Sequence, residues 1–100
     1  MEHYNAYTID ELARVVLPHE LRCELGLNTG SQVSLKPVST LVILQLMEDT
    51  PEPDSFVCPV DDLGRIELPC EVCQQLGWHE KDKLDMYNID NLIILKKIVI

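Results

Sequence analysis

The chain has 100 residues, 46% of them hydrophobic and 25% charged, and a net charge of −9. That length suits one compact domain, or two very small units sharing one core. No apolar run approaches the roughly 18 residues of a membrane span. The start, "MEHYNAYTID", has neither the basic nor the apolar region of a secretory signal. The expected location is therefore cytoplasmic, with no membrane partner and with the four cysteines as reduced thiols.

In chain order, Tyr7–Ile9 offers a short pairing segment and Arg14–Leu17 reads as a strand. Pro18 suits the first turn of a helix, where its missing N–H is not needed. Glu20 favours the positive end of the helix dipole. Leu17, Leu21 and Leu25 recur at i, i+4, i+8 and must face a core. Gly26 fits the left-handed position just past the helix. "QVSLK" alternates, "PVST" is a hairpin turn, and "LVILQL" is a nearly continuous apolar run suited to a central strand. The connector "MEDTPEPDSF" carries four acids and two prolines, an extended and solvated composition.

The chain then repeats itself. Shifted by 51 residues, Ile9–Met47 aligns on Val60–Ile98 without gaps, with 11 identities in 39 positions. Background composition would give about two or three. The identities include Asp10/Asp61, Arg14/Arg65, Pro18/Pro69, Glu20/Glu71 and Gly26/Gly77. The second unit accordingly predicts pairing at Val57–Val60, a strand at Arg65–Leu68, a helix after Pro69 and a hairpin from "KLDMY", "NIDN" and "LIILKK". The expected organisation is a first repeat at 1–47, an acidic linker at 48–57 and a second repeat at 58–100.

Two patterns carry a family resemblance: "VDDLGRIELPCEVCQQLGW" followed by "LDMYNIDNLIILKK", and "IDELARVVLPHELRCELGL" followed by "VSLKPVSTLVILQL". Both resemble the AbrB/SpoVT swapped-hairpin family of bacterial transition-state and sporulation regulators, related to MazE-type antitoxins. The resemblance implies a mainly β fold with short helices. Two βαββ repeats would exchange hairpins and close one barrel as an intramolecular pseudo-dimer. It also implies a DNA-binding transcription regulator.

Carried over position by position, Arg14 and Arg65 match the family's strand arginine. Arg22 matches the first of a frequent helix pair whose second member is Cys23 here. The second repeat has Cys73 and Gln74 at those two positions. The basic residues that often precede the motif's Asp are replaced by Tyr7 and Thr8, and by Cys58 and Pro59. The expected DNA-contacting set is Arg14, Arg22 and Arg65, helped by Lys36, Lys81 and Lys83. Arg22 is expected to be exposed, opposite the leucine stripe.

Three features oppose this reading. An acidic surface repels phosphates. Glu67 alternates onto the face of Arg65. Arg14 and Arg65 equally suit structural ion pairs with Asp10 and Asp61. The alternative is an acidic AbrB-like interaction module or antagonist that has lost DNA binding. Expected partners are then DNA, a second copy making a dimer of pseudo-dimers, or a protein of the same family. No catalytic constellation is present, so neither an enzyme nor a cofactor is expected. No metal is expected either. The nearest approach to a site is His19, Cys23, Cys70 and Cys73, should the two helices meet across the pseudo-twofold. Without a thioredoxin-like setting, Cys70–Cys73 reads as small residues on a short helix.

Overall fold

The computed structural model describes residues 2–47 and 53–98, with the backbone alone at 5 and 6. Ten elements follow one another. They are β1 (Glu2–Thr8), β2 (Arg14–Val16), α1 (His19–Leu25), β3 (Gln32–Val38), β4 (Leu41–Leu46), β5 (Phe56–Pro59), β6 (Arg65–Glu67), α2 (Cys70–Leu76), β7 (Lys83–Ile89) and β8 (Leu92–Lys97). Residues 48–52 of the expected linker lie outside the described residues, and Phe56 and Val57 stand in β5.

The elements form a mainly β, antiparallel globule with two short helices. A six-stranded sheet runs β1-β7-β8-β4-β3-β5, and β2 pairs with β6 in a second sheet. Exchange the two halves and each order reads the same from its other end. The register repeats that symmetry: Ile43 faces Ile94 between β4 and β8, and Val15 faces Ile66 between β2 and β6. Each first strand pairs with the other half's hairpin, β1 with β7 and β5 with β3. The hairpin exchange is thus made within one chain.

The core is drawn from both halves. Val15, Leu17, Leu21, Leu35 and Leu44 from one half join Ile66, Leu68, Val72, Leu84 and Leu95 from the other, all buried. Among the described residues, no polar or charged one is buried. A seven-residue helix is marginal without such packing, and each helix sinks its apolar position, Leu21 or Val72, completely.

Local chemistry sets the boundaries. Pro18 and Pro69 are N-caps with extended ψ of 143° and 138°, one residue earlier than the first-turn position expected from sequence. Gly26 and Gly77 end the helices in the left-handed conformation. In the second hairpin, Asp90 (φ 50°) and Asn91 (φ 67°) both turn left-handed, as a two-residue type I′ connection requires. β5 covers β3 only from Gln32 to Leu35, whereas β1 follows β7 as far as Asn88. The position equivalent to Asn88 is Pro37, which has no N–H to offer a neighbouring strand.

Candidate nucleic-acid interface

Two matching loops lead into β2 and β6. Asp10 Oδ1 accepts the Leu12 and Arg14 amides at 2.9 and 2.8 Å, and Oδ2 accepts Arg14 Nε at 2.7 Å. Asp61 does the same for Leu63, Arg65 and Arg65 Nε at 2.9, 2.8 and 2.8 Å. Desolvation alone would raise these carboxyls. The backbone amides and the guanidinium outweigh it, and both sit below their ordinary value. The Asp-x-x-x-Arg spacing therefore builds a turn and fixes an arginine at its exit. Each ion pair uses Nε, so the terminal nitrogens of the fork are what an arginine has left for a phosphate.

The outer face of the β2–β6 pair carries Arg14 opposite Glu67 and Val16 opposite Arg65, with Val15 and Ile66 turned inward. Leu12 and Leu63 stand at the loop tips, 56% and 62% exposed, and Val16 between them is 42% exposed.

Arg22 departs from expectation. It is half-buried, not exposed, and its Nε donates to Leu17 O at 3.0 Å. Its guanidinium lies over Gly64 so closely that a Cβ there would be 2.5 Å from Arg22 Cζ. Helix α1 of the first half is thereby laid on the Arg65 loop of the second. The long apolar stem and planar head of arginine let it cover backbone while remaining charged.

The lysines also cross between halves. Lys81 N donates to Ile9 O at 2.8 Å, and Lys83 faces Thr8 in the β1–β7 register. Both belong to the second half, yet they flank the Asp10–Arg14 loop. At the equivalent place beside the other loop, Gly30 N donates to Val60 O and Gln32 faces Pro59. One loop thus has Arg14 with the backbone of Lys81 and Lys83 beside it, and the other has Arg65 with the Arg22 guanidinium over Gly64.

Lys36 is not brought to this face. It faces Ile43 on the outer side of the six-stranded sheet, across the core from β2 and β6, at a shallow hollow lined also by Ser34, Val38, Gln45 and Leu92. Cys58, where the resemblance led to the expectation of a basic residue, is buried instead. Burial, with Glu67 nearby, pushes its thiol up to about 11.

The four-ligand arrangement of His19, Cys23, Cys70 and Cys73 does not form. Among the described residues, no three His, Cys, Asp or Glu side chains converge as metal ligands. α1 lies on the opposite half's loop through Arg22 over Gly64. Cys73 packs against the core, and burial followed by the neighbouring Cys70 raises its thiol.

This is the architecture of a β-rich, AbrB-like fold in which one chain supplies both exchanged hairpins. Comparison with known proteins agrees with that class. Over 42 residues the chain is 53% identical to the transition state regulatory protein AbrB of Bacillus subtilis (strain 168). That stretch is 42% of this chain and 44% of AbrB, so the match spans under half the length of either protein. The fold is similar to the solution structure of PHS018 from Pyrococcus horikoshii, with a TM-score of 0.55 and 17% identity over 98% of this chain and 92% of that one. No family model matches. The stretch shared with AbrB supports an AbrB-like family. Among the described residues, no helix is long and apolar enough to cross a membrane.

Proposed function

We propose that this chain is a cytoplasmic DNA-binding transcription regulator of the AbrB/SpoVT type. Its tandem repeats, 1–47 and 58–100 joined by the linker 48–57, take the place of two subunits. The main support is the pair of matched Asp–Arg loops on one face, each joined by cations from the opposite half. Arg14 stands at one loop with the backbone of Lys81 and Lys83 beside it, and Arg65 at the other with the Arg22 guanidinium over Gly64. Because the charges cross between halves, each loop draws cations from both repeats rather than from its own alone. Phosphate contacts by these five cations would set affinity, and the fork nitrogens of the arginines would reach base edges. Lys36 would act only from the far face, through a second copy in a dimer of pseudo-dimers.

A gel shift on duplex DNA across a salt series tests this. Each phosphate neutralised contributes a slope of about −0.9 in log affinity against log salt. Binding should weaken steeply with salt, and further with Arg14→Ala or Arg22→Ala. No binding at low salt sinks the reading.

One observation favours a second reading, an acidic interaction module or antagonist that acts on a protein of the same family. Glu67 lies directly opposite Arg14, and Leu12, Val16 and Leu63 leave apolar surface among few cations. Such a face suits a protein partner better than a polyanion. Its signature would be a salt-tolerant complex with an AbrB-type protein and none with DNA.

A further inference from the structure

The pseudo-twofold carries Arg14 onto Arg65, each with the same Asp-backed turn and the same Nε ion pair. Around them it carries unlike residues onto one another. The 51-residue shift sets Val16 against Glu67, Arg22 against Cys73 and Gln32 against Lys83. One chain supplies both halves, so every molecule presents the same unlike pair.

Charge decides which arginine is freer. In the β2–β6 pair Glu67 stands directly opposite Arg14, and Val16 directly opposite Arg65. Directly opposed residues have Cβ atoms about 4.5–5.5 Å apart. Positions two apart on one strand are about 6.6 Å apart. Glu67 is therefore placed closer to Arg14 than to Arg65. Arg14 has two carboxylates for neighbours, Asp10 in an ion pair and Glu67 across the ladder, whereas Arg65 has Asp61 and the apolar Val16. The Arg22 guanidinium adds positive charge on the Arg65 side, laid over Gly64 just before Arg65. On the Arg14 side the added cations are Lys81 and Lys83, exposed residues whose backbones flank the loop. Lysine is a flexible point charge suited to phosphate. An arginine fork reads a base edge bidentately.

We propose that this chain reads DNA sequence from one side of its pseudo-twofold: Arg65 contacts base edges in one half-site, and Arg14, Lys81 and Lys83 hold phosphates in the other. The proposal rests on the DNA-binding reading above and assigns its base contacts to one side. A protein with true twofold symmetry favours a palindromic site, because both half-sites meet the same residues. Here the specified bases lie in one half-site only, so the preferred duplex is non-palindromic and is bound in one polarity. Phosphate contacts position the second half without specifying it.

The test selects sites from a random duplex pool with the full chain at low salt, then maps hydroxyl-radical protection on the selected duplex. Enriched bases should fall on one side of the protected region, with protection extending over both sides. Arg65→Lys keeps the charge and loses the fork, so discrimination against a wrong base should fall by about 5- to 150-fold while the salt slope stays. Arg14→Ala should weaken all sequences alike and leave the motif intact. Glu67→Val gives both arginines an apolar residue opposite, and should add base preference in the second half-site. A palindromic motif from the unsubstituted chain overturns the proposal, as does an equal effect of Arg14→Ala and Arg65→Lys on the motif. Salt-dependent binding with no enriched sequence overturns it and leaves the DNA-binding reading standing. No binding at low salt overturns both.

Discussion

The two loops share one hydrogen-bond pattern, yet what lies on them differs. Arg22 of α1 covers Gly64 in the loop before β6. The equivalent position on α2 is Cys73, and the equivalent of Gly64 is Ala13. Both loop residues adopt a left-handed backbone, Ala13 at φ 60° and Gly64 at φ 74°. Glycine takes that conformation without strain; alanine does not. The two pairs differ in a matched way: Arg22 sits over a residue without Cβ, and the equivalent positions in the other pair are Cys73 and Ala13. A duplicated fold within one chain is free to differentiate its halves in this way, because each contact between halves occurs once rather than twice.

Several substitutions break or sharpen that contrast. The largest effects belong to the shared core. Leu21→Ala should cost about 2–5 kcal/mol and the matching Val72→Ala about 2–3 kcal/mol. Both should shift one cooperative denaturant transition. Two separable transitions would mean that the halves fold independently.

Next comes the asymmetric contact. Gly64→Ala should destabilise by about 2–3 kcal/mol, from left-handed strain of about 1–2 kcal/mol plus the overlap with Arg22. In the Arg22→Ala/Gly64→Ala double variant only the strain should remain, so a double-mutant cycle in urea isolates the contact.

On DNA, Arg22→Ala or Arg65→Ala should weaken binding by about 1–3 kcal/mol and lower the salt slope by about 1. Glu67→Val, which gives the second half the residue of the first, should strengthen binding. An unchanged affinity would mean that Glu67 does not oppose phosphate.

Ala13→Gly should be small, stabilising by less than about 1 kcal/mol, because strain relief is partly offset by the entropy of the unfolded chain. The acid limb should separate the halves least. Asp10 and Asp61 both hold folded-state values below their ordinary one. Their contribution is present above the ordinary carboxylate value and is lost as pH falls through the lowered folded value. Asp10→Asn and Asp61→Asn should flatten the fall of thermal stability below about pH 4 to the same extent. A clear difference in slope would show that the loops are not electrostatic equivalents.

Much of this was legible in the chain. The 51-residue repeat, the leucine stripes, the prolines before the helices and the glycines after them depend on local periodicity and backbone preference, and the elements formed where those signals stand. The Asp10–Arg14 and Asp61–Arg65 pairings were readable too, because four residues bridged by a tight turn leave a carboxylate and a guanidinium few other places to meet. The side of each cation was not. Arg22 counted with the first repeat and Lys81 and Lys83 with the second, yet each serves the loop of the other. Hairpin exchange is a matter of long-range strand pairing, and no local preference encodes which half a strand joins. The sequence by itself determined the elements and their duplication. Tertiary structure alone decided that Arg22 lies down on Gly64, that Lys36 points away from the shared face, and that His19 and Cys23 meet while Cys70 and Cys73 stay apart from them. Those outcomes depend on which surfaces the common core brings together.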